Sequence, residues 1–230
     1  MLALKAVDHF YGDSHTLWGI DLVVKPQKCT CLMGRNGVGK TTLLKTIMGQ
    51  EKIGQGEIVF KNQAIEKQKT QARAGLGISI VPQGRQIFPL LTVEENIKLA
   101  FQAANKTGAM PQWVLDLFPV LNEMKDRLGG NLSGGQQQQL AIVRALITEP
   151  ELLLLDEPCE GIQPNIVAAI GEVIRYLVEE RGMTVLLVEQ KLQFIKKVAD
   201  HFYIIDRGSN KVNGEINTLN DDMIKNYLTV

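Results

Sequence analysis

The order of apolar and polar positions divides the chain into short apolar runs that alternate with longer stretches of helical periodicity. Residues 152–155 and 185–188 are four-residue apolar runs bounded by turns or polar residues, which is typical of central parallel strands covered on both faces. Further short buried runs are predicted at 29–33 and 78–81. Pro164 opens a stretch whose apolar residues have the spacing of an amphipathic helix: Ile166, Ile170, Val173, Ile174 and Leu177. This alternation predicts an α/β fold with a mainly parallel sheet.

The first sixty residues predict a second, antiparallel layer of strands. Residues 2–10 alternate between apolar and polar side chains as far as Ala6, and Val7 then falls out of step. Further apolar runs at 20–24 and 58–60 are separated from this one by glycine-containing segments. We expect these strands to flank the main sheet.

A segment of different character lies between residues 84 and 133. It contains three of the eight prolines of the chain, together with helical stretches at 93–101 and 113–124. We interpret residues 84–133 as an inserted, mostly helical subdomain. The whole chain is then predicted to be a single unit, with a core formed by residues 1–83 and 134–230.

Residues 34–41, with the sequence GRNGVGKT, fit the phosphate-binding pattern G-x-x-x-x-G-K-[ST]. The glycines let successive N–H groups approach phosphate oxygens without interference from a Cβ atom. Lys40 supplies a charge for the β- and γ-phosphates, and the Thr41 hydroxyl suits Mg²⁺, which takes oxygen ligands. A predicted strand precedes the motif and a helix at 41–48 follows it, which favours this interpretation over a glycine-rich turn of an unrelated fold. The predicted phosphate-binding residues are Gly34, Arg35, Asn36, Gly37, Val38, Gly39, Lys40, Thr41 and Thr42.

Asp156 and Glu157 follow the apolar run at 152–155, and strand ends line the ligand crevice of a parallel sheet. Asp156 is predicted to hold Mg²⁺, directly or through water. Glu157 is predicted to be the general base for an attacking water. The alternative is an acidic turn with no function. Beside a phosphate-binding loop, the acidic pair is the expected partner for the metal and the water.

Charge and composition disfavour some classes of function. Lys and Arg together number 25, as do Asp and Glu, so no net positive field recruits nucleic acid or an anionic membrane. No apolar run approaches the ~20 residues that a membrane-spanning helix requires. The first residues lack the pattern of a signal peptide, so we expect a cytosolic protein.

The cysteines fit a reducing compartment. Cys29 and Cys31 alternate on a predicted strand and should face the same way. A C-x-C metal site is the alternative to core packing, but neither a histidine nor a third cysteine is near in sequence. We therefore predict core packing for both, and for Cys159 as well.

The pentapeptide LSGGQ at residues 132–136, which opens a predicted helix, carries a family resemblance. With the two motifs above, the chain resembles the ATPase subunits of ATP-binding cassette (ABC) transporters over essentially its whole length. The resemblance implies a P-loop core that uses ATP and Mg²⁺. It also implies two roles for Gln83: this residue binds Mg²⁺ or water, and it senses the membrane partner. In the signature segment, which consists of Ser133, Gly134, Gly135 and Gln136, it implies that Ser133 and Gly135 contact the γ-phosphate of ATP bound on a second subunit.

Three further positions bear on this resemblance. Tyr11 resembles the aromatic residue that stacks on adenine, and a tyrosine packed at a strand end is the alternative. The switch position, usually histidine, is Gln190, which can donate a hydrogen bond to a γ-phosphate but cannot be protonated. We assign Gln190, with Lys40 and Glu157, to the catalytic group. The loop at 160–163 lacks the aspartate with which it usually ends.

The departures at Gln190 and in the loop at 160–163 indicate which class of ABC transporter the chain resembles most. Val188, Glu189 and Gln190 resemble the second of the two ATPase subunits in importers of the branched-chain amino acid class. Within that class, segments 82–89, 136–140 and 160–164 most resemble the urea-transporter ATPase, although the run of glutamines has a polar helix face as its alternative explanation. Urea is the expected solute, and a branched-chain amino acid or a short-chain amide is the alternative.

The resemblance implies an assembly. This chain and a second ATPase subunit, homologous or identical to it, form a sandwich around ATP. Two permease subunits cross the membrane, and a periplasmic or extracellular solute-binding protein delivers the solute. The chain is expected at the cytoplasmic face of the inner membrane as a peripheral subunit that is soluble when expressed alone. The competing hypotheses are a soluble ABC ATPase that acts on nucleic acid or ribosomes and a regulator without turnover. The absence of a basic excess disfavours the first, and Glu157 disfavours the second.

Overall fold

The computed structural model describes residues 1–104 and 109–228. In chain order its strands are β1 Leu2–Tyr11, β2 Ser14–Val24, β3 Cys29–Met33, β4 Gln55–Phe60, β5 Gln63–Ala64, β6 Ile78–Val81, β7 Leu152–Asp156, β8 Thr184–Val188, β9 His201–Asp206 and β10 Ser209–Glu215. Its helices are α1 Lys40–Met48, α2 Thr70–Gly75, α3 Val93–Ala103, α4 Gln112–Asp116, α5 Pro119–Glu123, α6 Gly134–Leu146, α7 Pro164–Glu179, α8 Leu192–Val198 and α9 Asp221–Tyr227.

The strands form two sheets. In the larger sheet, strands run parallel in the order β9-β3-β8-β7-β6, and β10 pairs antiparallel with β9 at one edge. The smaller sheet is antiparallel, in the order β2-β1-β4-β5. The predicted α/β fold, with a mainly parallel sheet and a flanking antiparallel β layer, is confirmed.

The apolar runs are continuous because the parallel sheet is covered on both faces. In β7, Leu152 and Leu154 belong to the core shared with α1 and the antiparallel sheet. Leu153 and Leu155 belong to the core shared with α6, α7 and α8. Full burial of one leucine side chain contributes about 1.5–3 kcal/mol, so strands of this kind anchor the sheet. The functional loops at their carboxyl ends are therefore mounted on a rigid support.

The cysteines pack in the core. Cys29 and Cys31 lie with Met33 on one face of β3, fully buried in the cluster that contains α6 and α7, as predicted. Cys159 is buried in the same cluster. Burial raises the pKa of each thiol, so all three stay protonated at neutral pH.

The structure corrects several local predictions. The single helix expected at 113–124 is two short helices, α4 and α5, because Pro119 lacks an N–H and disfavours helical backbone at Phe118. The strand expected at 20–24 starts earlier, at Ser14. The change of step in β1 is a bulge at which Ala6 takes a φ of 46° and Val7 returns to the core. Neither α2 nor β5 is predicted, since both are too short for a periodic pattern.

Helices dominate the described part of residues 84–133. It contains α3, α4, α5 and a 3₁₀ turn at Gly129–Asn131, and residues 105–108 lie outside the described part of the chain. These helices pack on α6, and α6 also packs on β6 of the parallel sheet. The boundaries of the helical subdomain stay a prediction.

No helix in the described residues combines the length and the apolar character needed to cross a bilayer. The longest of them, α7, has 16 residues, fewer than the ~20 that a span requires.

Candidate active site

The phosphate-binding motif forms the turn between β3 and α1. A Cβ atom at Gly34 would lie 2.4 Å from the Ile205 carbonyl oxygen, and one at Gly39 would lie 2.7 Å from Leu17 Cδ2. Gly39 also has a φ of 105°, so both positions require glycine. Among the described residues no side chain caps the N-terminus of α1, which leaves its first N–H groups available to an anion.

Lys40 places a buried ammonium inside this loop. Its Nζ donates to the Gly34 carbonyl oxygen at 2.8 Å and to the Arg35 carbonyl oxygen at 2.9 Å, and lies 3.5 Å from Glu157 Oε1. An ammonium is a compact point charge with several donors, so it suits a pair of phosphate groups. Of the other predicted loop residues, Gly34, Val38, Gly39 and Thr42 are buried, and Arg35, Asn36 and Gly37 are exposed.

Asp156 ends β7 beside Thr41 and is buried. Asp156 Oδ1 has no hydrogen-bond partner in the described part of the chain. Burial raises the pKa of Asp156, and Glu157 raises it further, while the Thr41 hydroxyl and Lys40 oppose the shift. An unpartnered carboxyl oxygen beside a hydroxyl fits a hard cation such as Mg²⁺.

Glu157 has an uncommon backbone conformation for its type. Its φ of 48° lies in the left-handed region, which non-glycine residues occupy at functional sites more than elsewhere. Its N–H donates to the Val188 carbonyl oxygen at 2.9 Å, which ties it to the end of β8. Its Oε1 accepts from Gln190 Nε2 at 2.6 Å, and its Oε2 accepts from Gln83 Nε2 at 3.4 Å. The carboxylate is thus held between two amides and the ammonium of Lys40.

Two amide side chains link separate loops. Gln190 Nε2 donates to Asn36 Oδ1 at 2.7 Å as well as to Glu157, so it joins the phosphate loop to the end of β7. Gln83 Nε2 donates to Glu160 Oε2 at 3.0 Å. The sequence does not predict the contacts of Asn36 and Glu160, because their partners lie 154 and 77 positions away.

The signature segment opens α6. Ser133 Oγ accepts from the Gln136 N–H at 3.3 Å, and Gln136 Oε1 accepts from the Ser133 N–H at 2.9 Å, which is a capping box. Ser133 is exposed, and Gly135 is buried against Ile166. The contacts of Glu157 described above do not include this segment. A hydroxyl at an exposed helix N-terminus fits an anion brought by another molecule.

Tyr11 ends β1 and is 44 % exposed, and its ring meets the ring of His9 edge to face with the two centroids 4.5 Å apart. The start of β2 lies against the phosphate loop, because the Thr16 carbonyl and the Leu17 side chain surround the position that a Gly39 Cβ would take. Stacking of Tyr11 on adenine stays a prediction.

Comparison with known proteins decides the family. Residues 17–160 match the model of the ABC transporter family. The chain belongs to the ATP-binding subunits of ABC transporters. This ABC ATPase is 39 % identical to the high-affinity branched-chain amino acid transport ATP-binding protein BraG of Pseudomonas aeruginosa, over 90 % of each chain. It is 34 % identical to the probable branched-chain amino acid transport ATP-binding protein LivF of Archaeoglobus fulgidus, over 95 % of this chain and 94 % of the relative.

Solved structures of ABC ATPases have the same fold as this chain. A dimeric, post-hydrolysis structure of the ATP-binding cassette MJ0796 with ADP and Pi has a TM-score of 0.85 to this ABC ATPase, at 26 % identity. The match covers 95 % of this chain and 100 % of the other. The predicted ABC ATPase fold is confirmed, and as a member of this family the protein binds and hydrolyses ATP.

In an Asp156→Asn variant we expect greater stability without ligand. Because burial raises the pKa of Asp156 in the folded state, its contribution to stability is complete below the unfolded pKa and is lost as the pH rises through the folded pKa. Asparagine has no charge, so this loss disappears, and each kcal/mol regained raises the Tm by about 2–4 °C. Thermal unfolding from about pH 4 to pH 8, without and with Mg²⁺, measures both effects.

Two controls complete this test. Mg²⁺ should raise the Tm of the wild type and leave that of Asp156→Asn unchanged. Asp206→Asn changes a partly exposed aspartate at the end of the neighbouring strand β9 and should bring no gain. A ligand-free Asp156→Asn protein less stable than wild type at neutral pH would contradict the prediction.

Proposed function

We propose that this ABC ATPase drives an importer of the branched-chain amino acid class from the cytoplasmic face of the membrane. It acts as one of two ATPase subunits attached to two permease subunits, and a solute-binding protein outside the membrane supplies the solute. The support is that two relatives, BraG and LivF, carry the name of branched-chain amino acid transport and align over 90 % or more of both chains.

One observation carries the proposed chemistry: Glu157 lies between the ammonium of Lys40 and the amides of Gln83 and Gln190, at the carboxyl ends of parallel strands. We assign the β- and γ-phosphates of ATP to Lys40 and to the N–H groups of residues 34–42. Tyr11 stacks on the adenine. A lysine charge and a helix N-terminus beside one another match two adjacent phosphates.

Thr41, Asp156 and Gln83 are the residues that would hold Mg²⁺, which when bound would offset negative charge on the β- and γ-phosphates. The unpartnered Asp156 Oδ1 beside the Thr41 hydroxyl supports this assignment. Both are oxygen donors, as Mg²⁺ prefers.

Glu157 is assigned to the attacking water. The water oxygen forms a bond to the γ-phosphorus while its proton passes to a carboxylate oxygen of Glu157, and the bond to the β-phosphate oxygen breaks to leave ADP and phosphate. Gln190 can donate an N–H to a γ-phosphate oxygen but cannot carry the proton. Glu157 is therefore the proton acceptor of the step.

The signature segment is assigned to the ATP of a second ATPase subunit. The support is that Ser133 is exposed at the start of α6, where its hydroxyl and the helix N-terminus both suit a phosphate. The helical subdomain at 84–133 would carry this segment toward the partner. ATP between the subunits then favours the closed dimer, as a ligand that binds one state better than the other.

Urea import is a second candidate. Segments 82–89, 136–140 and 160–164, which resemble the urea-transporter ATPase, meet in this structure: Gln83 bonds Glu160, and Arg85 donates to Gln137 Oε1 at 3.2 Å. Because segment 82–89 contacts both of the other segments, the residues that resemble the urea-transporter ATPase lie together on one surface of the protein. That surface is not expected to touch the solute.

Uptake assays separate the two solutes. In a strain that lacks the gene, we expect uptake of radiolabelled leucine to fall to background and uptake of radiolabelled urea to persist. The wild-type gene should restore leucine uptake, and a Glu157→Gln gene should not. If urea uptake alone is lost, the protein is the ATPase of a urea importer. Unchanged uptake of both solutes would contradict the import proposal.

A further inference from the structure

A buried carboxylate lies at the junction of two loops of the active site. Glu189 follows β8 and is 3 % exposed. Its Oε1 accepts from the N–H of Cys159 at 3.2 Å, and its Oε2 accepts from the N–H groups of Gln190 at 2.6 Å and Lys191 at 3.0 Å. Charged acceptors make stronger hydrogen bonds than neutral ones, and three backbone donors offset the loss of hydration. The carboxylate therefore binds the two loops to each other.

Two further bonds connect the same loops. The Glu157 N–H donates to the Val188 carbonyl oxygen, and Lys191 Nζ donates to the Cys159 carbonyl oxygen at 2.6 Å. The loop after β7, which carries Glu157, is thus fastened to the loop after β8, which carries Gln190, on both sides of Glu189.

We propose that Glu189 is a positioning residue for ATP hydrolysis, which fastens the loop of Glu157 to the loop of Gln190 so that the two side chains keep one relative geometry. The proposal rests on the roles proposed above for those two residues. Glu189 touches neither phosphate nor water in this scheme. It acts through its bond with the N–H of Gln190, which holds the backbone of Gln190 and thereby orients the Gln190 side chain.

The geometry explains why a carboxylate is needed. Both oxygens of Glu189 accept from N–H groups on different loops. A glutamine of the same shape has one accepting and one donating end, so its NH₂ would face an N–H whichever way the amide is turned. In a Glu189→Gln variant, the backbone N–H groups on one of the two loops would therefore lose their acceptor, and that loop would no longer be fastened to the other. A displacement of about 1 Å at Gln190 or Glu157 can cost up to ~10² in rate.

The test is a double-mutant cycle on the full chain, with Glu189→Gln, Gln190→Ala and the double variant. We expect Glu189→Gln to lower kcat by about 10- to 100-fold, while the affinity for ATP, measured by calorimetry, changes by less than about twofold. In the Gln190→Ala background the same change should lower kcat much less, because residues that act through one another are not additive.

Asp200→Asn is the matched control. Asp200 Oδ2 accepts from the Cys29 N–H at 2.8 Å, at the start of β3 and thus at the end of the sheet opposite to the phosphate loop. This substitution also replaces a carboxylate that holds a backbone N–H, so it should lower the Tm and leave kcat near that of the wild type.

A second variant tests the same fastening of the two loops in case Glu189→Gln folds poorly. Lys191→Met removes the bond of the ammonium to the Cys159 carbonyl and keeps the backbone bond of Lys191 to Glu189, and we expect a severalfold loss of kcat with unchanged affinity for ATP. Wild-type kcat in Lys191→Met or in Glu189→Gln, or additive losses in the cycle, would overturn the positioning role. Wild-type kcat in Gln190→Ala would instead overturn the role proposed for Gln190, and the premise of this inference with it.

Discussion

Replacing Glu157 by glutamine is expected to lower the turnover of ATP by about 10²–10⁴-fold, which is the usual contribution of a general base, while ATP still binds. The amide has the shape of the carboxylate but cannot accept a proton from water. Its oxygen can still accept from Gln190, and the strained φ of 48° is occupied by a side chain of the same size. Removal of a negative charge close to Lys40 leaves the affinity for ATP equal or higher.

Glu160→Gln is the matched control for this prediction. Glu160 accepts from the same Gln83 amide as Glu157, at 3.0 Å. Glu160 differs from Glu157 in being exposed, and it is Glu157 that forms the ion pair with Lys40. We expect Glu160→Gln to change turnover by less than about tenfold. Single-turnover hydrolysis and calorimetric binding of ATP measure both quantities. Near wild-type turnover in Glu157→Gln, or equal losses in the two variants, would remove Glu157 from the role of base.

The architecture can be predicted from the sequence because its strands carry a strong signal. The run at residues 152–155 of β7, with every residue buried, is apolar without alternation, and this pattern is typical of a parallel strand covered on both faces. The bulge at Ala6 and the break before Pro119 carry weaker signals. At Ala6 the polar–apolar order slips by a single residue, and at Pro119 apolar residues on both sides keep a helical spacing.

The chemistry of the site is more predictable than its geometry. Motifs identify Lys40 and Glu157, because phosphate and water chemistry need those side chains next to a glycine-rich turn or a strand end. The partners that orient Glu157 are separated from it by 33 and 74 positions, and only the folded sheet brings them together. Glu189 shows the same limit: a charge after an apolar strand suggests a turn, whereas its burial and its bond from the Cys159 N–H depend on the neighbouring loop.

Mixing two inactive variants, Lys40→Ala and Ser133→Arg, is expected to restore ATPase activity. Lys40→Ala removes the ammonium of the phosphate loop, and Ser133→Arg fills the exposed start of α6 with a long side chain. If each site combines the phosphate loop of one subunit with the signature segment of the other, either homodimer has two damaged sites. A mixed dimer has one site with both lesions and one intact site.

The size of the effect follows from random pairing. Half of the dimers in an equimolar mixture are mixed, and half of their sites are intact, so recovery should approach about a quarter of the wild-type activity if the two sites act independently. Each variant alone should stay at background, because a phosphate loop or a signature segment is missing from every site. Activity is measured over a range of mixing ratios, with dimer formation followed by sedimentation.

A matched cap variant separates blocked contact from a weakened helix. Ser133→Arg also removes a capping box, which costs about 1 kcal/mol. Thr92→Arg removes an equivalent box, formed with Glu95 at the start of α3, and should keep turnover near wild type. Ser133→Thr keeps a capping hydroxyl and should stay active. If Ser133→Arg is active alone, or if mixing restores nothing where sedimentation shows dimers, the sites are not shared between subunits. Full recovery by Lys40→Ala alone at high ATP would instead mean that its ammonium is dispensable for the γ-phosphate.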